Sequence, residues 1–278
     1  MKSSFSHRFI PVIALLLLNG ILLPTGVAAP KAKIIEFWLS SNEASQAKIN
    51  HDPWQILLDR YLDTEHPSGI NRFNYGAVSP HDKQLLDSYI SDMQALDPRQ
   101  YSRKVQKSYW INLYNAATVK LVLDKYPVKS ITKIGRGFFS FGPWDDKIFH
   151  IQAQNLSLND IEHGILRPIW KDNRIHYAVN CASLGCPNLQ PQVYTATTTE
   201  ELLEKAAKEY INHPRGVHFN NNHLTLSSIY DWYRQDFGDT DANIINHLKS
   251  YAGAELKQQL EQYTGDITFD YNWQLNDK

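Results

Sequence analysis

Both cysteines of this 278-residue chain fall in one short stretch, Asn180-Cys-Ala-Ser-Leu-Gly-Cys-Pro187. Two thiols so placed can close a disulfide, hold a metal, or leave one thiolate free to act as a nucleophile. A Cys181–Cys186 disulfide closes a small loop if Gly185 allows a tight turn, and stabilises by about 2 kcal/mol in the chain-entropy view. A metal site fits poorly. Four residues between the cysteines do not match the zinc-knuckle spacing, and there is neither a second cysteine pair nor a His-Glu-x-x-His run. His218 and His223 flank a turn, where exposed histidines are common, so no metal or other cofactor is expected.

A nucleophilic Cys181 needs a base within hydrogen-bond reach and a third group that orients the base. His176 is the obvious base, yet five residues place two side chains on opposite faces of a strand or about 140° apart on a helix. Only a bulge, or the turn after Val179, brings them together. His163 is therefore an equal candidate, with Glu162 or Asn112 as orienter. Such a site is papain- or transglutaminase-like and would catalyse acyl transfer or hydrolysis, although those enzymes place the histidine after the cysteine in the chain. A thioredoxin-like role departs from the usual two-residue spacing. The alternative to an enzyme is a binding module, with a structural Cys181–Cys186 disulfide and an aromatic groove built from Phe138 to Trp144 with Trp232 and Tyr233.

The elements that must position these groups read as follows. An apolar run, Ile175 to Val179, looks like a strand that delivers the cysteines to the rim of a sheet. Arg103 to Tyr126 is apolar nearly all round, which predicts a buried central helix. Asn112 and Asn115 lie on one side of it. A buried amide without partners costs about 1–3 kcal/mol, so both must tie loops to the helix or serve a substrate or catalytic group. Ser157-Leu-Asn-Asp160 caps a helix that carries Glu162, His163 and Arg167. Glu162 and His163 are sequence neighbours, about 100° apart on a regular helix, and are not expected to face one site together. Further helices are read over Asp52–Leu62, from Ser79-Pro80 to Asp97, and over Thr199–Asn212, Ile229–Gly238, Asp239–Tyr251 and Glu255–Tyr263. Val217–Leu226 reads as a hairpin around Asn220-Asn-Asn222, Lys147–Ala153 and Ile267–Trp273 as strands, and Ile70–Tyr75 as a short strand.

The N-terminus suggests a compartment. Lys2 and Arg8 precede an apolar run to Leu23, and small residues follow, so residues 1–28 read as a signal peptide cleaved after Ala28, ahead of Pro30. That predicts an exported product, periplasmic or secreted, with no membrane span after cleavage. A 29–50 extension and a 51–278 globular domain follow. With Lys2 and Arg8 removed, the formal charge goes from −1 to −3, which gives no basic excess for nucleic acid. Seven tryptophans, 15 tyrosines and 11 phenylalanines supply a core without help from disulfides. The expected fold is helix-rich α+β, a single domain with the central helix packed on a small, mainly antiparallel sheet.

Three blocks carry a resemblance: Tyr109-Trp-Ile-Asn-Leu-Tyr-Asn-Ala116; Leu158 to Arg167 continuing through Ile175-His-Tyr-Ala-Val-Asn-Cys-Ala-Ser183; and Leu226 to Phe237. In order and spacing, over about residues 100–237, they resemble the domain of unknown function 547 family, found in exported bacterial and multidomain eukaryotic proteins. The resemblance implies shared positions at Trp110, Asn112, Asn115, Glu162, His163, Arg167, His176, Cys181 and Ser183, and a more variable Cys186. It implies no activity. Cys181, His176, His163 and Glu162 are thus the catalytic candidates. Trp110, Asn112, Asn115, Arg167, Asn180 and Ser183 are the substrate-binding candidates, for a small molecule, peptide or glycan.

Overall fold

A computed structural model describes residues 30–135, 141–221 and 223–278. The proposed signal peptide, and residues 138–140 of the aromatic loop, lie outside them. The eight α-helices of the described residues are α1 (Asp52–Tyr61), α2 (Pro80–Ala95), α3 (Arg103–Lys125), α4 (Arg167–Trp170), α5 (Thr199–Ile211), α6 (Ile229–Trp232), α7 (Asp241–Tyr251) and α8 (Ala254–Gln262). Seven short strands join them: β1 (Leu62–Asp63), β2 (Arg72–Phe73), β3 (Phe149–Ile151), β4 (Gln154–Leu156), β5 (Val217–Asn220), β6 (His223–Ser227) and β7 (Ile267–Asp270). β1–β2 and β3–β4 are antiparallel pairs, and β5–β6–β7 is a mixed sheet in which β7 runs parallel to β6. The fold is α+β and helix-rich.

Local chemistry explains the boundaries. Ser79 caps α2 by accepting the Asp82 N–H, with Pro80 in the first turn. At α1, Asp52 is the first helical residue rather than the cap, and the Asn50 side chain accepts its N–H. Ser102 makes no capping bond at α3; the Glu43 carboxylate takes the Arg103 N–H instead, and an acid belongs at a helix N-terminus. α3 is buried almost all round, as its composition requires, with Trp110 edge-on to Trp38 at 5.1 Å. It packs on α2 and on the helical turn that carries Glu162. A second apolar cluster fills the space among α5, the hairpin, α7 and α8.

The helix predicted over Ile161–Ile169 opens as a π-helix, Asp160–Leu166. Its start is the expected capping box: Asp160 N–H donates to Ser157 Oγ, and Ser157 N–H to Asp160 Oδ2. The Arg167 N–H reaches back five residues to the Glu162 carbonyl. Pro168 has no N–H, so the carbonyls of His163 and Gly164 lack the donor that it would have supplied. Lys33 and Ile35 fill the gap, donating to those two carbonyls at 2.9 Å each. The weakly patterned N-terminal segment is thereby hydrogen-bonded to the wide turn.

The segment before the cysteines is not a strand. Asn173–Tyr177 is a 3₁₀ helix, and Asp172 caps it by accepting the Arg174 N–H. Beyond it the chain enters a turn in which Ala182, fully buried, holds φ +57°, a left-handed conformation that costs a non-glycine residue about 1–2 kcal/mol. The C-terminal segment after β7 lies along this turn. Leu184 N–H donates to the Gln274 carbonyl and Gly185 N–H to that of Asn272, both at 2.8 Å, and Asn276 N–H donates to Ala182.

A Cβ on Gly185 would sit 2.8 Å from Asn272 N and 3.0 Å from its carbonyl oxygen, both main-chain atoms. Gly185→Ala is therefore expected to lose about 1–3 kcal/mol in urea unfolding, by prising the two segments apart. An unchanged midpoint would show that the segments do not pack this closely.

Candidate functional site

Two asparagines fix the cysteine turn, and a third clamps the chain beyond it. Asn115 donates to the Ala178 carbonyl at 2.9 Å and accepts the Asn180 N–H at 2.8 Å. Asn180 donates to the Pro187 carbonyl at 2.7 Å and accepts the Ala182 N–H at 2.8 Å, so one side chain clamps both ends of the loop. Asn112 pairs in the same manner with the main chain of Tyr194, at 2.7 and 3.0 Å. Each amide acts as a piece of backbone, and each therefore positions main chain. Trp110 is a core residue, 1% exposed.

Cys181 is the part-exposed thiol of the pair and Cys186 the buried one; both are free. The Cys181 sulfur lies 3.2 Å from Ser183 Oγ and 3.0 Å from the Tyr271 hydroxyl, and Ser183 Oγ donates to that same hydroxyl at 3.0 Å. The Cys181 N–H donates to Cys186 Sγ at 3.0 Å. Burial pushes the Cys181 thiol up, but hydrogen bonds from Cys186, Ser183 and Tyr271 outweigh it and hold the thiol below its ordinary value, against the charge of Glu162. Burial, and then the neighbouring Cys181, push Cys186 well up. The first cysteine of the pair is thus the one poised to ionise.

The expected imidazole partner is not among the sulfur's contacts. His163 and His176 belong to an adjoining buried ionic network, where Arg167 is the hub. Arg167 donates through Nε to Asp236 at 2.6 Å and through one terminal nitrogen to His163 Nδ1 at 3.0 Å. A donor at Nδ1 leaves His163 neutral with its hydrogen on Nε2, and burial together with the Arg167 charge holds its pKa down. His176 shares Asp236 from the other side, Nε2 to Oδ2 at 2.7 Å, and Tyr233 stacks on its ring at 4.0 Å.

Glu162 receives the Tyr114 hydroxyl at 3.2 Å on one oxygen. Its other oxygen and His176 Nδ1 are both buried without a hydrogen bond and face each other at 3.7 Å. Burial alone would raise Glu162. The charge of His163 when protonated, then His176 and Arg167, outweigh burial and bring it down to about 2. Asp236 is held well below the usual carboxylate range, since the His176 and Arg167 bonds outweigh its burial. Glu162 and His163 therefore serve one network after all, because the wide turn and the bridging Arg167 overcome the 100° between neighbours.

Asp236 and Tyr271 were not among the sequence candidates. Asp236 lies in the third block of the resemblance, next to Gln235 and two residues from Arg234 on a short helix, which reads as solvated surface. Tyr271 follows an alternating strand that gives no sign of a return to the cysteines.

Residues 98–211 match the family model described as protein of unknown function, DUF547. The chain carries a domain of the DUF547 family. The matched residues hold Glu162, His163, Arg167, His176, both cysteines and the three clamping asparagines; Tyr233, Asp236 and Tyr271 come from beyond them. Comparison with curated proteins and with solved structures finds no match. Among the described residues of the chain, no helix is long and apolar enough to cross a membrane, and no group of three His, Cys, Asp or Glu is placed to hold a metal.

Proposed function

We propose that this protein is a thiol-dependent enzyme of the acyl-transfer or hydrolase type, with Cys181 as the nucleophile. What supports the reading is the surroundings of the Cys181 sulfur, a part-exposed thiol on a strained turn with the Tyr271 hydroxyl 3.0 Å away and Ser183 Oγ, which donates to that hydroxyl, at 3.2 Å. Hydrogen bonds to the charged form favour that form, so the Tyr271 hydroxyl, polarised by Ser183, stabilises a thiolate without a cationic partner. In an acyl transfer the sulfur adds to the carbonyl carbon and the leaving group departs with a proton. The Tyr271 hydroxyl, held at the sulfur and pushed well above its ordinary pKa first by burial and then by the cysteines, remains a proton carrier rather than an anion. The ionic network of Glu162, His163, Arg167, His176 and Asp236, whose Glu162 charge is felt at the Cys181 thiol, acts as a positioning group.

Two open clefts of about 320 and 580 Å³ share Asp270, Tyr271 and Asn272 as a common wall, and from that wall the Tyr271 hydroxyl reaches the Cys181 sulfur. Beside them runs a row of aromatic rings. Phe141 packs on Trp144 at 6.1 Å, Trp144 meets Trp273 at 5.6 Å, and Trp273 stacks on Trp232 at 5.5 Å. Tyr271 closes the row, 4.6 Å from Trp273. This row favours, as a second reading, a binding module for a ligand with flat apolar faces. Trp144 and Trp232 join it as the sequence suggested, through Trp273; Tyr233 instead packs inward on His176.

The two readings part on reactivity. Iodoacetamide labelling of the reduced protein, followed by peptide mass spectrometry from pH 5 to 9, is expected to modify Cys181 half-maximally below the pH of an ordinary thiol, about 8.5. A burst of p-nitrophenol from p-nitrophenyl acetate is expected with a stoichiometry of about one per chain, and Cys181→Ser is expected to abolish it. Labelling with ordinary thiol pH dependence and no burst would leave the binding module as the better account.

A further inference from the structure

The acyl-transfer reading gives Cys186 no chemical part, yet its sulfur accepts the Cys181 N–H at 3.0 Å, and its thiol donates to the Val179 carbonyl at 3.8 Å. The turn that brings it there is closed by the Cys186 N–H donating to the Ser183 carbonyl at 3.1 Å. Asn180 pins the loop at both ends, on Ala182 and on Pro187. The Cys186 sulfur is thus held against the Cys181 main chain, on a loop whose closing bonds are made by the main chain and the Asn180 amide. Access is unequal: Cys181 is part-exposed, whereas Cys186 is 4% exposed. An oxidant from solvent meets Cys181 first.

We propose that Cys181 and Cys186 form a two-step oxidation site for hydroperoxides, in which Cys181 is oxidised and Cys186 resolves it to a disulfide within the loop. The proposal rests on the reading of Cys181 as a reactive thiol and adds the regulation of that thiol. In the first step a thiolate electron pair attacks the distal peroxide oxygen. The S–O bond forms, the O–O bond breaks, and the departing alkoxide or hydroxide takes a proton to leave as alcohol or water. In the second, the Cys186 sulfur attacks the Cys181 sulfenic acid. The S–S bond forms, the S–O bond breaks, and the hydroxyl leaves with the Cys186 proton as water. Two thiols are oxidised and one peroxide is reduced. An external dithiol reverses the change by exchange. The disulfide removes the nucleophile reversibly and spares Cys181 from irreversible over-oxidation.

The test treats the reduced full chain with hydrogen peroxide and follows intact mass, peptide maps and iodoacetamide labelling. Expected are the loss of two hydrogens, a Cys181–Cys186 link within one peptide, near-complete loss of Cys181 labelling, and full recovery with dithiothreitol. Cys186→Ser is expected to trap Cys181 as a sulfenic acid that reacts with dimedone, and Cys181→Ser to leave Cys186 reduced. Sulfinic acid at Cys181 with Cys186 still a free thiol, or bridges between chains, would overturn the proposal. Should Cys186→Ser not fold, the wild-type peptide map alone decides. Early labelling of reduced Cys181 without the internal disulfide would reject this inference and leave the acyl-transfer reading standing. The internal disulfide without early labelling or an acetate burst would reject the latter alone.

Discussion

Arg167→Met is expected to lower folding stability by about 3–5 kcal/mol, the range for breaking a buried ion pair from one side. The Arg167 side chain is 4% exposed and that of Asp236 22%. The guanidinium has three directions occupied: Asp236, His163 and the Pro30 carbonyl at 2.9 Å, with the Tyr233 ring 5.0 Å from its centre. Methionine fills much of the volume but leaves the buried Glu162 and Asp236 without the guanidinium charge. Lysine should restore only part of the loss, because one ammonium cannot donate in the planes that Asp236 and His163 require. A double-mutant cycle separates charge from packing. Asp236→Asn keeps the shape and removes the second half of the pair, so Arg167→Met with Asp236→Asn is expected to be more stable than the sum of the two single losses by about 1–3 kcal/mol. Urea unfolding of the four proteins measures this. A single loss below about 1 kcal/mol, or additive losses, would show that the network is an arrangement of surface-like charges with little energetic weight.

The network also shows what a sequence can and cannot reveal. Helix starts were legible because a cap is a local bargain between neighbours: Ser79 with Asp82, and Ser157 with Asp160, sit three residues apart. The burial of α3 was legible because its composition leaves no polar face. The π-turn was not, since it depends on Lys33 and Ile35 arriving from about 130 residues away to satisfy the carbonyls that Pro168 leaves open. Periodicity therefore misjudged Glu162 and His163 as facing apart. The same limit applies to Cys181. Its residue type and turn marked it as a candidate, and the spacing argument against a direct bond to His176 agrees with the structure, where Asp236 holds that imidazole. The partners actually at the sulfur, Ser183 and Tyr271, are two and 90 residues away. Only the first of these distances is open to local reasoning. Asn112, Asn115 and Asn180 illustrate a third case: their need for partners could be read from burial, but which partners could not.

Buried histidines give the second large effect, a loss of stability on mild acidification. His51 is packed beneath α1 with its Nδ1 2.7 Å from the Tyr89 hydroxyl, and burial lowers its pKa to about 4. His247 stacks on Tyr177 with its Nε2 2.7 Å from that hydroxyl, and burial, then the charge of His176, lowers it likewise to about 4. Both are neutral in the native state. The unfolded chain takes up their protons near pH 6.5, and the folded chain resists down to about 4. Between those limits the unfolded state binds more protons, so stability is fully present above pH 6.5 and falls as the pH is lowered. The full span for His51 corresponds to about 3 kcal/mol, and His247, more exposed, should contribute less. Glu162 opens a second window. Its pKa is lowered from 4.5 to about 2, so its contribution is complete above pH 4.5 and disappears as the pH falls toward 2. Thermal midpoints at constant ionic strength are therefore expected to be level above pH 7, to decline from 6.5, and to steepen below 4.5. His51→Gln retains an acceptor for Tyr89 and cannot titrate, so it should flatten the upper decline while leaving the lower one in place. A midpoint that holds steady from pH 7 to 4.5, or a variant with an unchanged slope, would mean that the His51 site admits water and a proton without cost to the fold.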